Sequence, residues 1–468
     1  MLGAVAGVCI YEYANGMPNA SKNSASTIYA LSSGAGRAGV AVIRVSGPAS
    51  PDALRRMASP EVLDRRAGFR RIVHPATGAV LDHALVLFFK GPRSETGEDV
   101  AEFQVHGGRA VVRAVLEALG AVPGCRLAEP GEFARRAFEN GKFDLVEIEA
   151  LADLVNAETE AQRRLALQSG GVLSTLYEGW RGRLIEIAAL TEAAIDFSDE
   201  GDVAASSFEA ARVRARPLLD QIKQHLDDGH RGEILRDGYR VALLGAPNAG
   251  KSSLLNALAR RDAAIVSEEA GTTRDVIEVR LDLGGVPVIV SDTAGIRESA
   301  GSIELEGIRR SLAAAEAGNL VLWLSESGAD SPPESISRET VLPIRTKADL
   351  DVLRPSPSPL GERAGVRGHS ISAKTGEGLD DLIRLIASRA AAAVGGDDTA
   401  PVLTQARHRQ NLESAAASLG TFLAGEPSAL ELRAEDVRQA AHALGRITGR
   451  VDVEDVLDQI FSRFCIGK

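Results

Sequence analysis

The chain holds 468 residues, more than the ~250 to 300 at which one core stops growing, so two to four domains are expected. Its 44% hydrophobic share is that of a globular protein, and its net charge of -11 excludes a surface built mainly to coat nucleic acid, leaving any RNA partner to a local patch. No run of ~18 uncharged apolar residues is present to span a bilayer, and three scattered cysteines, Cys9, Cys125 and Cys465, give neither a disulfide framework nor a zinc spacing and fit a reducing cytoplasm.

Residues 1–25 open with MLGAVAGVCIYEY, apolar but with no Lys or Arg ahead of the apolar run, so they read as a disordered extension or as the product of an upstream start codon, in preference to a secretory leader. In residues 26–143, alternating apolar runs (TIYAL, VAVIRVSG, ALVLFFKG, AEFQV) are separated by glycine and proline and followed by the helically spaced VVRAVLEALGAV. That pattern predicts a small α+β domain. The densest basic run, RRMASPEVLDRRAGFRR from Arg55 to Arg71, is either a phosphate-touching patch or a solvated helix and loop. Arg44 interrupts the alternation of VAVIRVSG, while Glu102, Gln104 and His106 share one face of AEFQVHGG. Spacing alone favours an Arg44–Glu102 salt bridge, with His106 as a satisfied core histidine.

Residues 144–232 turn to helical spacing, as in EIEALADLVNAETEAQRRLALQ, and residues 396–468 return to it. Between them, residues 233–395 alternate strands with helices, which predicts an α/β domain with a mostly parallel sheet. Neither helical segment looks complete alone, so the α/β domain is expected to be an insertion into a helical one. RPSPSPLGERAGVRG, from Arg354 to Gly368, has no periodicity and reads as a disordered surface insertion.

The α/β segment carries the clearest chemistry. VALLGAPNAGKSS is a strand followed by Gly245-x4-Gly250-Lys251-Ser252 and then the helical LLNALA. Its glycines let backbone N–H groups curl around phosphates at a helix N-terminus, Lys251 supplies a point charge to the β and γ phosphates, and Ser252 offers Mg²⁺ an oxygen. VPVIVSDTAG ends a second strand in Asp292-Thr293-Ala294-Gly295, where the carboxylate can hold the Mg²⁺ shell and the Gly295 amide can sense the γ phosphate. Thr273 of AGTTRD is placed to complete that shell. A carboxylate that accepts the N1–H and amino group of guanine selects GTP, and Asp349 of Thr346-Lys347-Ala348-Asp349 suits that role, backed by Ser372-Ala373-Lys374.

From about residue 27 to its end the chain resembles the tRNA modification GTPase family MnmE, also called TrmE. The likeness rests on GRAGVAVIRVSG, TGEDVAEFQVHGG, RLAEPGEFARRAFENGKFDL, GAPNAGKSSLLNAL, AIVSEEAGTTRD, DTAGIRE and the terminal FCIGK. The resemblance implies an α+β folate-binding and dimerisation domain, a helical domain and an inserted Ras-like P-loop GTPase domain. It implies a GTP site made of Asn248, Ala249, Gly250, Lys251, Ser252, Ser253, Ser267, Thr272, Thr273, Asp292, Thr293, Ala294, Gly295, Thr346, Lys347, Asp349, Ser372, Ala373 and Lys374. Mg²⁺ would sit on Ser252 and Thr273, and K⁺ on Asn248, Ser267, Glu269 and Thr272, although Asn248 by itself also reads as a turn-stabilising amide. Glu304 would orient the attacking water, with Glu306 a close competitor, and Lys251 would join it in catalysis.

The same resemblance implies a one-carbon tetrahydrofolate held by Arg44, Glu102, Lys142 and Lys468, a carboxylate meeting the pterin edge and cations the glutamate tail. It implies a homodimer that assembles with an FAD-dependent MnmG/GidA-like partner into a heterotetramer and modifies carbon 5 of the wobble uridine, position 34, of certain tRNAs. A GTP-timed switch acting in ribosome assembly is the rival reading; it needs the P-loop but not the folate residues.

At the end of the chain, VDVEDVLDQIFSRF carries Val453, Val456, Leu457, Ile460, Phe461 and Phe464 as a helical stripe that would pin the last helix into a core. Cys465-Ile466-Gly467-Lys468 has the outline of a prenylation box, but Gly467 replaces the second aliphatic and Lys468 is an unusual last residue, so no membrane anchor is expected. By resemblance Cys465 and Lys468 lie near the folate pocket, and Cys465 is either reactive there or buried and inert. Departures stand out: Thr346 where asparagine is usual beside the guanine, Ser325 where a strand-ending aspartate is usual, Val105 where glycine is usual, and the low-complexity insertion Arg354 to Gly368 between the base-reading motifs. The region between LVLWL and VLPIR is also short.

Overall fold

The computed structural model describes residues 26–34, 36–59, 63–199, 201–246, 248–265, 278–292, 318–326, 332, 340–353, 369–395, 401–426, 429–451, 454–462, 464 and 467. The chain divides into two compact units, one of residues 1–152, 169–222 and 410–468, the other of residues 153–168 and 223–409.

The first unit opens with a six-stranded sheet ordered β3-β4-β5-β2-β1-β6. Its strands are β1 (Thr27–Leu31), β2 (Ala38–Ser46), β3 (Gly68–Val73), β4 (Val80–Phe89), β5 (Val100–Gly107) and β6 (Cys125–Leu127). All neighbours are antiparallel except β1 and β6. Helices α1 (Ser50–Met57) and α2 (Arg109–Gly120) cover one face. There Ile43 and Val45 of β2 and Phe103 and Val105 of β5 join Leu54, Met57, Val115 and Leu119 in one core. Period-two alternation sends Arg44, Glu102, Gln104 and His106 to the opposite face.

Two expectations need correction here. The basic run ends in a strand and not in a loop: Gly68–Val73 is β3, with Ile72 buried and Phe69 and Arg71 outward, and α1 begins the run with Arg55 and Arg56 paired to Asp52 on the surface. A six-residue run with two adjacent arginines is too polar to look like a strand until β4 pairs with it. His106 is no core histidine: its side chain is 71% exposed and its Nδ1 lies 2.8 Å from Asp82 Oδ1, because the face it shares with Glu102 points away from the helices.

Helices α3 (Glu132–Glu139), α4 (Leu145–Val155), α5 (Glu160–Asp196), α6 (Gly201–Leu226), α10 (Ala406–Ala424), α11 (Leu430–Thr448) and α12 (Glu454–Phe461) carry the helical segments. The two segments that flank the α/β region pack on each other within the first unit. Phe208 of α6 and Phe422 of α10 meet edge to face at 5.6 Å, and Arg212 donates to the Leu423 carbonyl at 3.0 Å. Ile460, Phe461 and Phe464 close against Ala134, Phe138, Leu145 and Ile148, with Leu457 beside them, so the expected stripe does pin the last helix. Val453 and the side chain of Val456 lie outside the described residues.

Inside the same unit α3 is anchored by a buried ion network. Arg136 is 4% exposed; it donates to Glu98 at 3.1 Å, to Glu132 at 3.1 Å and to the Ser26 carbonyl at 2.9 Å. Burial raises the Glu132 pKa, but hydrogen bonds from Arg126, the Glu129 N–H and Arg136 outweigh it and hold the carboxyl below its ordinary value.

The second unit contains the other sheet, ordered β12-β11-β10-β7-β9-β8. Its strands are β7 (Tyr239–Gly245), β8 (Glu278–Leu283), β9 (Val286–Asp292), β10 (Leu320–Ser325), β11 (Val341–Arg345) and β12 (His369–Ser370). All neighbours are parallel except the β8–β9 hairpin. β7, β9 and β10 are buried nearly throughout, as strands covered on both faces must be. Helices α7 (Arg231–Asp237), α8 (Lys251–Ala259) and α9 (Leu379–Val394) belong to this unit, and Leu254, Leu258, Leu382 and Ile386 of α8 and α9 complete its core. This is the expected multidomain α/β plus α class, with an antiparallel-edged doubly wound sheet of P-loop type. Residues 354–368 and most of the stretch between β10 and β11 lie outside the described residues. No described helix is long and apolar enough to cross a membrane.

Candidate nucleotide-binding site and the Arg44 sheet face

Parallel strands carry their functional residues at their carboxyl ends, and four such ends converge here. β7 leads through the P-loop into α8. Gly250 precedes the helix at φ +94°, a left-handed conformation that favours glycine, and this turn aims the first N–H groups of α8 back into the loop. Asn248 is also left-handed, at φ 64°, and exposed. Lys251 Nζ donates to the carbonyls of Gly245 at 2.8 Å and Ala246 at 3.0 Å, so the ammonium is held at the rim of the loop. Burial pulls the Lys251 pKa below its ordinary value, against the opposing charge of Asp292.

The register of β7 on β9 sets Leu243 beside Asp292. Asp292 is fully buried, and it accepts a hydrogen bond from Ser252 Oγ at 2.7 Å. A hydroxyl and a carboxylate held together beside the P-loop are the hard oxygen donors that Mg²⁺ requires. Ala249 is buried, and Ser253 lies exposed beside Ser252 on the first turn of α8.

On the other flank, β11 ends at Arg345 and Thr346 follows with both donors engaged. Its N–H reaches the Ser325 carbonyl at 2.9 Å and its hydroxyl the Ala249 carbonyl of the P-loop at 2.8 Å. Lys347 sits at φ 60° and its ammonium pairs with Glu326 at 2.8 Å. Asp349 lies in a short 3-10 helix, Ala348–Leu353, and receives a 2.7 Å hydrogen bond from the fully buried Ser372. The Ala348 N–H to Ile371 carbonyl bond, 3.1 Å, ties this loop to the turn holding Ser372, Ala373 and Lys374. The P-loop, Asp292, Thr346–Asp349 and 372–374 are thus brought to one edge of one sheet. Ser267, Glu269, Thr272, Thr273, Thr293, Ala294, Gly295, Glu304 and Glu306 lie outside the described residues.

In the first unit, Arg44 and Glu102 are directly cross-strand partners. Arg44 Nε and Nη2 lie 3.2 Å and 3.1 Å from Glu102 Oε1, while Nη1 lies 2.7 Å from Glu95. The guanidinium also stands 6.0 Å above the Phe133 ring. The salt bridge favoured by spacing is therefore present. Lys142 Nζ donates to the Pro92 carbonyl at 2.6 Å, and Lys142 also borders a cavity of about 180 Å³ with Asp144, Glu147, Ser174, Glu178 and Arg450. Burial raises the Asp144 pKa, against a hydrogen bond from Ser174.

The tail returns to this sheet. Ser32 Oγ donates to the Gly467 carbonyl at 2.8 Å, and Gly467, at φ +106°, lies so close to the Leu31 carbonyl that no Cβ fits. Leu31 follows Ala30, the residue paired with Arg44. Cys465 and Lys468 themselves lie outside the described residues.

With this geometry established, the chain can be compared with known proteins. A model of the GTP-binding protein TrmE N-terminus matches residues 27–142, and one of the MnmE helical domain matches residues 145–465. The tRNA modification GTPase MnmE of Parvibaculum lavamentivorans is 53% identical over 94% of this chain and 100% of its own length. This chain belongs to the MnmE family. The tRNA modification GTPase MnmE of Rhodospirillum rubrum is 52% identical, over 94% of this chain and 99% of its own. Among solved structures, the G domain of the T. maritima FeoB iron transporter is 26% identical over 32% of this chain and 98% of that one, with a TM-score of 0.24.

The departures from the MnmE pattern that fall on described residues each have a physical counterpart. Val105 is a core side chain paired with Ala41, next to the point between Ala38 and Ala41 where the β2–β5 register shifts, so the valine adds burial at the edge of an irregularity in the ladder. Ser325 is buried and contributes its carbonyl to Thr346. Sequence reasoning missed Glu326, Glu95 and Phe133. Nothing in the local pattern of any of the three signals a role, because each acquires its partner, Lys347 or Arg44, only through tertiary contact.

Proposed function

We propose that the chain is a K⁺-dependent GTPase that, with an FAD-dependent MnmG/GidA-like partner in a heterotetramer, installs an aminomethyl-type or carboxymethylaminomethyl group on carbon 5 of uridine 34 in certain tRNAs. The carbon comes from a one-carbon tetrahydrofolate. The observation that carries the reading is the convergence of the P-loop, Asp292, Asp349 and Ser372 on one sheet edge, in a chain that also packs its tail against the Arg44 sheet.

Residues 233–395 are the GTPase domain in this reading, inserted between helical segments 144–232 and 396–468, and residues 26–143 bind folate and dimerise. Mg²⁺ would be held by Ser252, with Asp292 behind it and Thr273 completing the shell; when bound it neutralises charge on the β and γ phosphates. K⁺ would take Asn248, Ser267, Glu269 and Thr272 and add positive charge near the bridging oxygen. Lys251 contacts the phosphates, Glu304 orients water, and Asp349 with Ser372–Lys374 selects guanine. On the sheet face, Arg44 and Glu102 would exchange part of their mutual ion pair for the folate, with Lys142 and Lys468 meeting its carboxylates.

Two measurements test this. GTP turnover by the purified chain is expected to be at least about tenfold faster in KCl than in NaCl at equal ionic strength, the scale of ~1.4 kcal/mol of transition-state charge stabilisation; equal rates would remove the K⁺ assignment. Deleting residues 465–468 is expected to abolish wobble-uridine modification, read by mass spectrometry of nucleosides from complemented cells, while GTP hydrolysis persists. Loss of both activities, or of neither, would favour a GTP-timed switch without modification chemistry.

A further inference from the structure

Guanine offers an acceptor edge, N7 and O6, as well as the N1–H and amino donors that a carboxylate reads. A protein group that reads N7 must therefore bring a hydrogen to it. Thr346 stands at the head of the loop that carries Asp349, and its side chain lies next to Gly250, with Cβ, Cγ2 and Oγ1 all within 4 Å of the position a Gly250 Cβ would take. It is the obvious candidate for such contact. Yet a threonine owns two protons that can be donated, one on its amide and one on its hydroxyl. The amide proton goes to the Ser325 carbonyl at 2.9 Å and the hydroxyl proton to the Ala249 carbonyl at 2.8 Å. The residue is 5% exposed, so neither bond exchanges readily with water. What remains on Thr346 is acceptor capacity, which N7 cannot use.

We propose that Thr346 is a latch between the guanine-reading loop and the P-loop and does not itself read the base, so that this GTPase is indifferent to N7 of guanine. The inference rests on the reading of 346–349 and 372–374 as a guanine site, and it adds which edge of the base goes unread. The reading loop is held in place without the base by the bonds of Thr346 to Ser325 and Ala249, Lys347 to Glu326, Ala348 to Ile371 and Ser372 to Asp349. Base selection then falls on Asp349, positioned by Ser372, and O6 is left to the backbone N–H groups of the 373–374 turn. An asparagine at 346 would differ in kind, because its amide carries two hydrogens: one can keep the Ala249 carbonyl while the other is free for N7. Thr346 is thus a positioning residue, and the specificity it withholds is a property of this chain.

The test is equilibrium binding of GTP and of 7-deaza-GTP, which lacks the N7 acceptor, to the full-length protein. The wild-type chain is expected to bind both within about twofold. Thr346→Asn is expected to favour GTP over 7-deaza-GTP by about three- to tenfold, the worth of one added hydrogen bond. Thr346→Val, which keeps the shape and strands the Ala249 carbonyl, is expected to weaken both nucleotides by the same factor, and Thr346→Ser to restore both. A wild-type preference for GTP of threefold or more, or a Thr346→Val loss confined to GTP, would overturn the proposal, and the first of these needs no variant to fold. Failure of the wild-type protein to bind either nucleotide is a different result, and it would overturn the guanine-site reading itself.

Discussion

Replacing Lys251 by alanine is expected to lower GTP turnover by about 10²- to 10³-fold, the loss typical of removing one preorganised charge from a phosphoryl-transfer site. The ammonium is half-held already: its bonds to the Gly245 and Ala246 carbonyls fix it at the rim of the loop, so little reorganisation is needed when phosphates arrive, and burial disfavours its charge until an anion offsets it. Those two carbonyls lie at the rim of the loop, where water can replace the lost donors. The melting temperature of the variant should therefore move little, with a stability cost of about 1 kcal/mol. Steady-state phosphate release with a thermal melt checks both halves. Turnover within threefold of wild type would sink the assignment of Lys251, whereas a collapsed melt would mean that the loop itself depends on it.

The largest stability effect is expected at Arg136. Arg136→Ala leaves Glu98 and Glu132 facing each other in a site where the arginine is 4% exposed and the two carboxylates 13% and 8%, and breaking such a pair by removing one partner costs about 3–5 kcal/mol. Glu132 keeps Arg126, which places the estimate nearer the lower end. The sign of the pH dependence follows from the lowered Glu132 pKa. Its contribution is fully present above the ordinary value of 4.5 and is lost as pH falls through the lower folded value, so the gap between wild type and variant should narrow in that acid window. Urea titrations at neutral pH and below pH 4 measure it. A neutral-pH difference under about 1 kcal/mol would show that the network is incidental to stability.

What each level of description determined follows from how far apart the interacting groups are along the chain. The P-loop, the strand that ends at Asp292 and the TKAD and SAK stretches are local objects: a strand, a tight turn and a helix start are set by neighbouring residues, so their spacing alone identifies the chemistry. The same holds for the apolar stripe of the last helix, Leu457, Ile460, Phe461 and Phe464, whose period already states that one face is buried. The polar strand β3 and the exposed His106 were not legible, because an arginine-rich alternation becomes a strand only when β4 supplies its partner, and a histidine in an alternating run is outward or inward according to which face the helices cover. Glu95 and Phe133 around Arg44, Glu326 on Lys347 and the Thr346 latch are decided still later. Each joins residues at least about twenty positions apart, and the loop-closure entropy of such contacts is offset only by the whole core forming at once. Which chemistry the chain carries is thus written in short runs of sequence, and which side chains are free to perform it is settled only when distant segments have packed.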